Sequence, residues 1–217
     1  MKNVVSKGTA YTSSDIDYTV KVEATGLSAF TQYYYQFTVC NSTNSSPIGK
    51  TKTTPNPNDP VAAVKLAVYS CSNYNFGFFN SFGNPARKES VDFVIHLGDF
   101  IYEYAEGAYG WGWSIGRIPK PNAEIRSLLD YRTRHNSYRI DPDSIASFQN
   151  FAWIPVWDDH EGKFAHATFL EPQSDNDTQS RTMRTGMVWQ IRTTPKPLSS
   201  SMTSSMVVNI SPSISAR

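Results

Sequence analysis

No apolar run in these 217 residues reaches the roughly 18 that a membrane-spanning helix needs, so no membrane span is expected. The opening Met1-Lys-Asn-Val-Val-Ser-Lys-Gly8 has no apolar core and does not read as a secretory signal. Only two cysteines occur, Cys40 and Cys71, too few for a disulfide framework. They fall in different parts of the chain and are read as unpaired. No charge sign dominates, since 20 basic residues face 19 acidic ones. That excludes a global pull toward nucleic acid or a membrane surface. The length suffices for one medium domain or one and a half small ones. The oligomeric state is not legible here.

The first 55 residues read as strands and turns. Asp17–Glu23 alternates apolar and polar positions, as a half-buried strand does. Gln32–Val39 reads as a long strand and Ile48–Thr53 as a closing one. Three strands at short spacing suggest an antiparallel sandwich. Leu27 followed by Tyr33-Tyr-Tyr35 resembles the corner of a fibronectin type III or immunoglobulin-like module, where a tyrosine hydroxyl ties back to the backbone. A whole module needs about seven strands, so the chain is expected to begin inside one. Residues 56–60, flanked by Pro55, hold Pro57 and Pro60 and read as an extended linker.

Beyond the linker the pattern becomes strand, connection, strand, which is the signature of a parallel βαβ unit. Ala63–Tyr69 is a strand ending at Ser70-Cys71-Ser72-Asn73. Asn84–Ser90 reads as the tail of a helix. Val91–Leu97 is a buried strand that breaks at Gly98 and delivers Asp99, Tyr102 and Glu103. Trp153–Trp157 ends in Asp158-Asp159-His160-Glu161. In open α/β sheets ligands bind beyond the carboxyl ends of the strands. Oxygen, nitrogen and sulfur donors gathered there suit metal ions, and a thiolate favours a redox-capable one. Cys71 alone is more often a buried small hydrophobe; its place at a strand end favours a ligand. The Gly-, Trp- and Tyr-rich loop 104–113 suits a substrate mouth or aromatic packing.

Asn122–Arg139 has helical periodicity through Ile125, Leu128, Leu129, Arg132, His135 and Tyr138. Arg126, Arg132, Arg134 and Arg139 read as a solvated helix face, and His135 as packing. Asp141-Pro142 reads as an N-cap with proline at the first helical position, opening a second helix to Phe151.

Five segments follow in order: Ser70-Cys-Ser-Asn-Tyr74, His96-Leu-Gly-Asp-Phe-Ile-Tyr-Glu103, Asp130-Tyr-Arg-Thr-Arg134, Tyr138-Arg-Ile-Asp-Pro-Asp143 and Trp157-Asp-Asp-His-Glu161. Together they resemble PhoD-type alkaline phosphatases of the branch common in fungi, across residues 4 to 161. The resemblance implies an α/β fold. Residues 61–161 would be the N-terminal half of a metallophosphatase αββα sandwich. Residues 1–55 would be the C-terminal strands of a fibronectin III/Ig-like β-sandwich. It implies a hydrolase of phosphate mono- or diesters that uses iron(III) (Fe3+) with calcium (Ca2+). Secretion follows from family habit, with sequons at Asn41, Asn44, Asn176 and Asn209 then open to use. The family's iron ligands fall on Cys71 and Tyr102, and its bridging aspartate on Asp99. Asp159 and His160 stand where relatives carry Asn-His, with His160 facing the phosphate or the leaving group. Either Asp158 or Asp159 would be the ligand there.

After Glu161 the chain leaves the family pattern. Residues 171 to 217 are about a third Ser and Thr, and residues 162–217 are expected to be a non-matching, disordered or weakly structured tail. A shifted reading frame or a retained intron would produce such a tail. The alternative to an active phosphatase is therefore a catalytically inactive truncated fragment, acting at most as a binding module.

Overall fold

A computed structural model describes residues 3–161 and, for its backbone, the strand Ser204–Ser211. The described residues divide into two compact units, the first built on the chain up to Val64 and the second running from Lys65.

The first unit is a four-stranded sheet in the order β1-β7-β2-β3. Its members are β1 (Ser6–Thr12), β2 (Gln32–Val39), β3 (Gly49–Lys52) and β7 (Ser204–Ser211). All pairings are antiparallel, with Ser6 opposite Ile210, Val39 opposite Met206 and Tyr35 opposite Gly49. Gly49 is required there: a Cβ would lie 2.2 Å from the Tyr35 ring. Tyr33 is the buried centre of this unit, packed by Ala24, Leu27, Tyr35 and Phe37. Its hydroxyl accepts a hydrogen bond from Ser28 N at 2.9 Å.

Two expectations are corrected here. Asp17–Glu23 is not a strand, because Asp17 and Tyr18 adopt φ of 53° and 52° and break the extended run. The tail, read as disordered or weakly structured, contains a strand at Ser204–Ser211. The β-branched run Val207-Val208-Asn-Ile210 suits a ladder, and the backbone groups of β1 and β2 supply partners on both sides. The rest of the 162–217 expectation lies outside the described residues.

The second unit holds a three-stranded sheet in the order β4-β5-β6: Leu66–Tyr69, Phe93–His96 and Ala152–Pro155. β4 and β5 are parallel, with Leu66 opposite Phe93 and Tyr69 opposite His96. Helix α1 (Asn80–Lys88) makes the crossover between them. Helices α2 (Leu128–Arg139) and α3 (Pro142–Asn150) follow. The core is mostly aromatic: Tyr74, Phe79, Phe82, Phe100, Tyr131 and Tyr138 join Ile101 and Ile125. Phe82 sits among Tyr69, Phe79 and Trp153 at centroid distances of 4.7, 5.1 and 5.3 Å. Such pairs add about 0.5–1.5 kcal/mol each beyond area burial. No helix among the described residues is long and apolar enough to cross a membrane.

α2 starts six residues later than its periodicity predicts, at Leu128. A capping box fixes the start: Ser127 Oγ accepts from Asp130 N, and Asp130 Oδ2 accepts from Ser127 N. The preceding backbone is engaged elsewhere. Arg134, expected on a solvated face, is 1% exposed. Its guanidinium donates to the carbonyls of Tyr102, Tyr104, Lys120, Pro121 and Ala123. Leu129, expected on the apolar face, is 71% exposed. α3 opens as its sequence predicts, with Asp141 Oδ1 accepting from Asp143 N and Ser144 N. The other Asp141 oxygen is paired with Arg117 at 2.6 Å.

Candidate metal centre

β4 and β5 run side by side and stay hydrogen-bonded past their ends. Leu97 N donates to Tyr69 O, Cys71 N to Gly98 O and Ser72 N to Asp99 O. Both chains then turn sharply. Cys71 and Asp99 have φ of 57° and 54°, left-handed values uncommon for residues with a Cβ. Gly98, at φ +108°, has no such option: a Cβ there would lie 2.4 Å from Asp158 Cβ and 2.7 Å from Asp158 N.

The two turns converge on one carboxylate. Cys71 Sγ lies 3.7 Å and the Tyr102 hydroxyl 3.4 Å from Asp99 Oδ2. Asp99 is 7% exposed, and its buried Oδ1 has no hydrogen-bond partner among the described residues. Burial, then the nearby Asp99 and Cys71, push the Tyr102 phenol far above its usual range. The turn after β6 brings further donors. One donor atom each from Asp99, Asp159 and His160 lie within 4.8 Å of one another. These three have the chemistry of a cation site, with Cys71 and Tyr102 close to Asp99 Oδ2.

Asp158 is not in that group. Its Oδ1 accepts from Asp159 N at 3.0 Å, a local turn contact. Of the predicted residues, then, Cys71, Asp99, Tyr102, Asp159 and His160 come together, and Asp158 shapes the turn that carries two of them.

Three neighbours matter beyond the predicted site residues: Glu103 and Glu161, read above only as part of the acidic strand ends, and His96, given no role. Glu161 is 5% exposed and takes four backbone N–H groups, from Asp99, Phe100, Ile101 and Asp158. One carboxylate thus ties the turn bearing Asp99 to the turn bearing Asp159 and His160. Burial, the dominant cause, still raises its pKa against those hydrogen bonds. Glu103 is 1% exposed and lies 2.7 Å from His160 Nδ1, which leaves Nε2 free to face the cluster. The His160 ring also packs on Tyr102 at 4.3 Å. His96 is fully buried; its Nδ1 accepts from Gly98 N at 3.3 Å, so Nε2 carries the proton toward Ser72 Oγ at 2.7 Å. Burial lowers its pKa to about 4, and it is neutral. The signal available for Glu103 and Glu161 was their place at the ends of the two acidic segments. What they bond to could not be read from spacing.

The PhoD-like phosphatase family model matches residues 66–185, running past Glu161, and the model of the PhoD-like phosphatase N-terminal domain matches residues 1–55. Alkaline phosphatase D of Bacillus subtilis (strain 168) is 36% identical over 190 residues, covering 87% of this chain and 32% of that protein. A solved structure described as "Structure of PhoD" superposes with a TM-score of 0.67 at 33% identity, covering 84% of this chain and 36% of that one. The chain therefore spans about a third of the length of these relatives. A family match over more than half the chain places it: this chain belongs to the PhoD-like phosphatase family.

Proposed function

We propose that the second unit carries part of the centre of a metal-dependent phosphoric ester hydrolase acting on phosphate mono- or diesters. The observation that carries this reading is Asp99. A buried carboxylate with a thiol and a phenol on one oxygen and nothing on the other is costly unless a cation joins it. Thiolate and phenolate suit iron(III), so Cys71, Tyr102 and Asp99 would hold that ion. Asp159, with the bare Asp99 Oδ1, would hold the harder calcium ion. Asp158 stays a turn residue. Bound there, cations polarise phosphoryl oxygens and lower the pKa of water.

The chain's own groups supply position and a proton. Glu103 holds His160 Nδ1, which leaves Nε2 to give a proton to the leaving alcohol. Glu161 keeps Asp99 and His160 in register. The β4-β5-β6 sheet fits the N-terminal half of an αββα metallophosphatase sandwich. The first unit fits the C-terminal strands of a fibronectin III/Ig-like module, a reading supported by the Tyr33 to Ser28 contact. Secretion belongs to the same reading.

A second reading is favoured by coverage of about a third of the relatives' length. The chain would then hold an incomplete site without turnover. Metal content and p-nitrophenyl phosphate hydrolysis on one preparation separate the two, with Cys71→Ser and Asp99→Ala alongside. Stoichiometric iron, a visible absorption band lost in Cys71→Ser, and turnover lost in Asp99→Ala are expected for the hydrolase. Little metal, with no turnover above the variants, would leave only the second reading.

A further inference from the structure

Three exposed aromatic residues of the second unit lie on the loops that carry the Asp99 cluster's neighbours. Phe76, Tyr109 and Trp111 are 65%, 46% and 66% exposed. They sit on the loops that follow β4 and β5, the same loops that carry Cys71 and Tyr102. The Tyr109 ring lies 5.6 Å from Tyr102 and 5.4 Å from Tyr104, and Phe76 meets it edge-on at 5.4 Å. Tyr102 in turn packs on His160. A continuous run of rings thus leads from the carboxylates to solvent.

The loops beneath these rings are fixed. Gly110 has φ +90°, and a Cβ there would lie 2.8 Å from Asn75 Cβ. Asn75 Nδ2 donates to Tyr109 O at 3.4 Å. Glu106 Oε1 accepts from Gly112 N, and Arg117 N donates to Gly112 O. Trp111 lies against Gly107, where a Cβ would meet its ring at 3.0 Å. Rings from the Tyr74–Phe79 segment that serve the core are buried, Tyr74 at 8% and Phe79 at 6%. Phe76, from the same segment, faces outward without any core role. Phe76 and Tyr109 form a contiguous exposed pair, with Trp111 exposed two residues further on, and exposed apolar surface of this kind suits ligand binding. Asn75, 5% exposed, also carries a buried Oδ1 without a partner among the described residues.

We propose that this aromatic shelf is a subsite for a planar ring in the alcohol part of the ester, with a nucleobase as the chemistry that fits it best. The base stacks on Phe76, Tyr109 and Trp111 while the phosphate lies at the Asp99 cluster. The proposal rests on the reading of that cluster as a phosphate site. Base stacking on aromatic side chains contributes about 1–3 kcal/mol, or about 5- to 150-fold in affinity. An aliphatic alcohol has no π face and gains far less.

Calorimetric titration of the full chain, supplied with iron and calcium, tests this with adenosine monophosphate, glycerol 3-phosphate and adenosine. Adenosine monophosphate is expected to bind at least about 5-fold tighter than glycerol 3-phosphate. The double variant Phe76→Ala/Trp111→Ala should remove that advantage, leave glycerol 3-phosphate unchanged and keep the circular dichroism of the parent. Asp99→Ala should weaken both phosphates and spare adenosine. Equal affinity for the two phosphates in the parent, or an unchanged ratio in the double variant, overturns the subsite. If neither phosphate binds but adenosine does, and only with the shelf intact, the shelf stands and the phosphate reading falls. If adenosine also fails at millimolar concentration, both fall.

Discussion

Arg134 and Asp99 are both charged groups taken out of water, and their surroundings treat them in opposite ways. Arg134 meets five carbonyl oxygens drawn from residues 102 to 123. Asp99 shares one oxygen with a thiol and a phenol and leaves the other bare. The first charge is fully answered by its own chain and acts as a strut, fixing the loop that begins at Tyr102. The second is answered only in part by the described residues. The difference separates scaffold from site more cleanly than burial does, since both residues are buried.

The largest expected effect is on the strut. Arg134→Leu leaves five carbonyls without their donor and should cost about 3–5 kcal/mol of unfolding free energy, read from urea midpoints at unchanged m. Arg134→Lys should recover little, because three donors on a point charge cannot replace a five-donor fork. A loss near zero for Arg134→Leu would erase the contrast.

Next comes His135, whose ring stacks on Phe100 and whose nitrogens have no hydrogen-bond partner among the described residues. Burial, helped by Arg139, lowers its pKa to about 3. The unfolded chain binds this proton near pH 6.5 and the folded chain does not. Stability should therefore fall by about 3 kcal/mol as pH drops from 6.5 to 4. His96 acts in the same direction, and Glu161, with its raised pKa, opposes both. His135→Phe should flatten part of the acid limb. An identical pH profile in that variant would remove His135 from the account.

Glu161→Gln tests the tie between the two turns. An amide offers one acceptor oxygen to four N–H groups, and the expected cost is about 2 kcal/mol. Metal affinity should weaken along with stability. Lost stability with unaltered metal binding would show that the tie does not set the site.

Asp99→Asn should give the smallest change and the opposite sign. The metal-free protein is expected to gain about 1 kcal/mol, since a partly answered buried charge is removed. The metal-loaded protein should lose its metal-dependent rise in melting temperature. A variant less stable than the parent without metal would mean that Asp99 is already satisfied by its neighbours.

Much of the second unit was legible from residue order. The run Val91–Leu97 ends in glycine, so β5 and the position of Asp99 followed from local pattern. Asp141-Pro142 marked the start of α3 because capping is a short-range effect. Partnership across long separations was not legible. Arg134 looked like one more basic residue on a helix; its burial depends on carbonyls that reach it from a loop 11 to 32 residues earlier. Asp158 and Asp159 are equivalent in a sequence and become different only when Asp99 arrives from 60 positions away. β7 was hidden for a related reason: its ladder partners lie at the opposite end of the chain.

The left-handed backbone at Cys71 and Asp99 has a consequence for laboratory evolution. Glycine adopts such angles freely, whereas a residue with a Cβ gives up about 1 kcal/mol to hold them. A selection for heat resistance alone would therefore favour Cys71→Gly and Asp99→Gly. The winners of such a screen would keep the sheet and erase the thiol and the carboxylate. At these two turns the drift would record, in reverse, the side chains that the fold itself does not need.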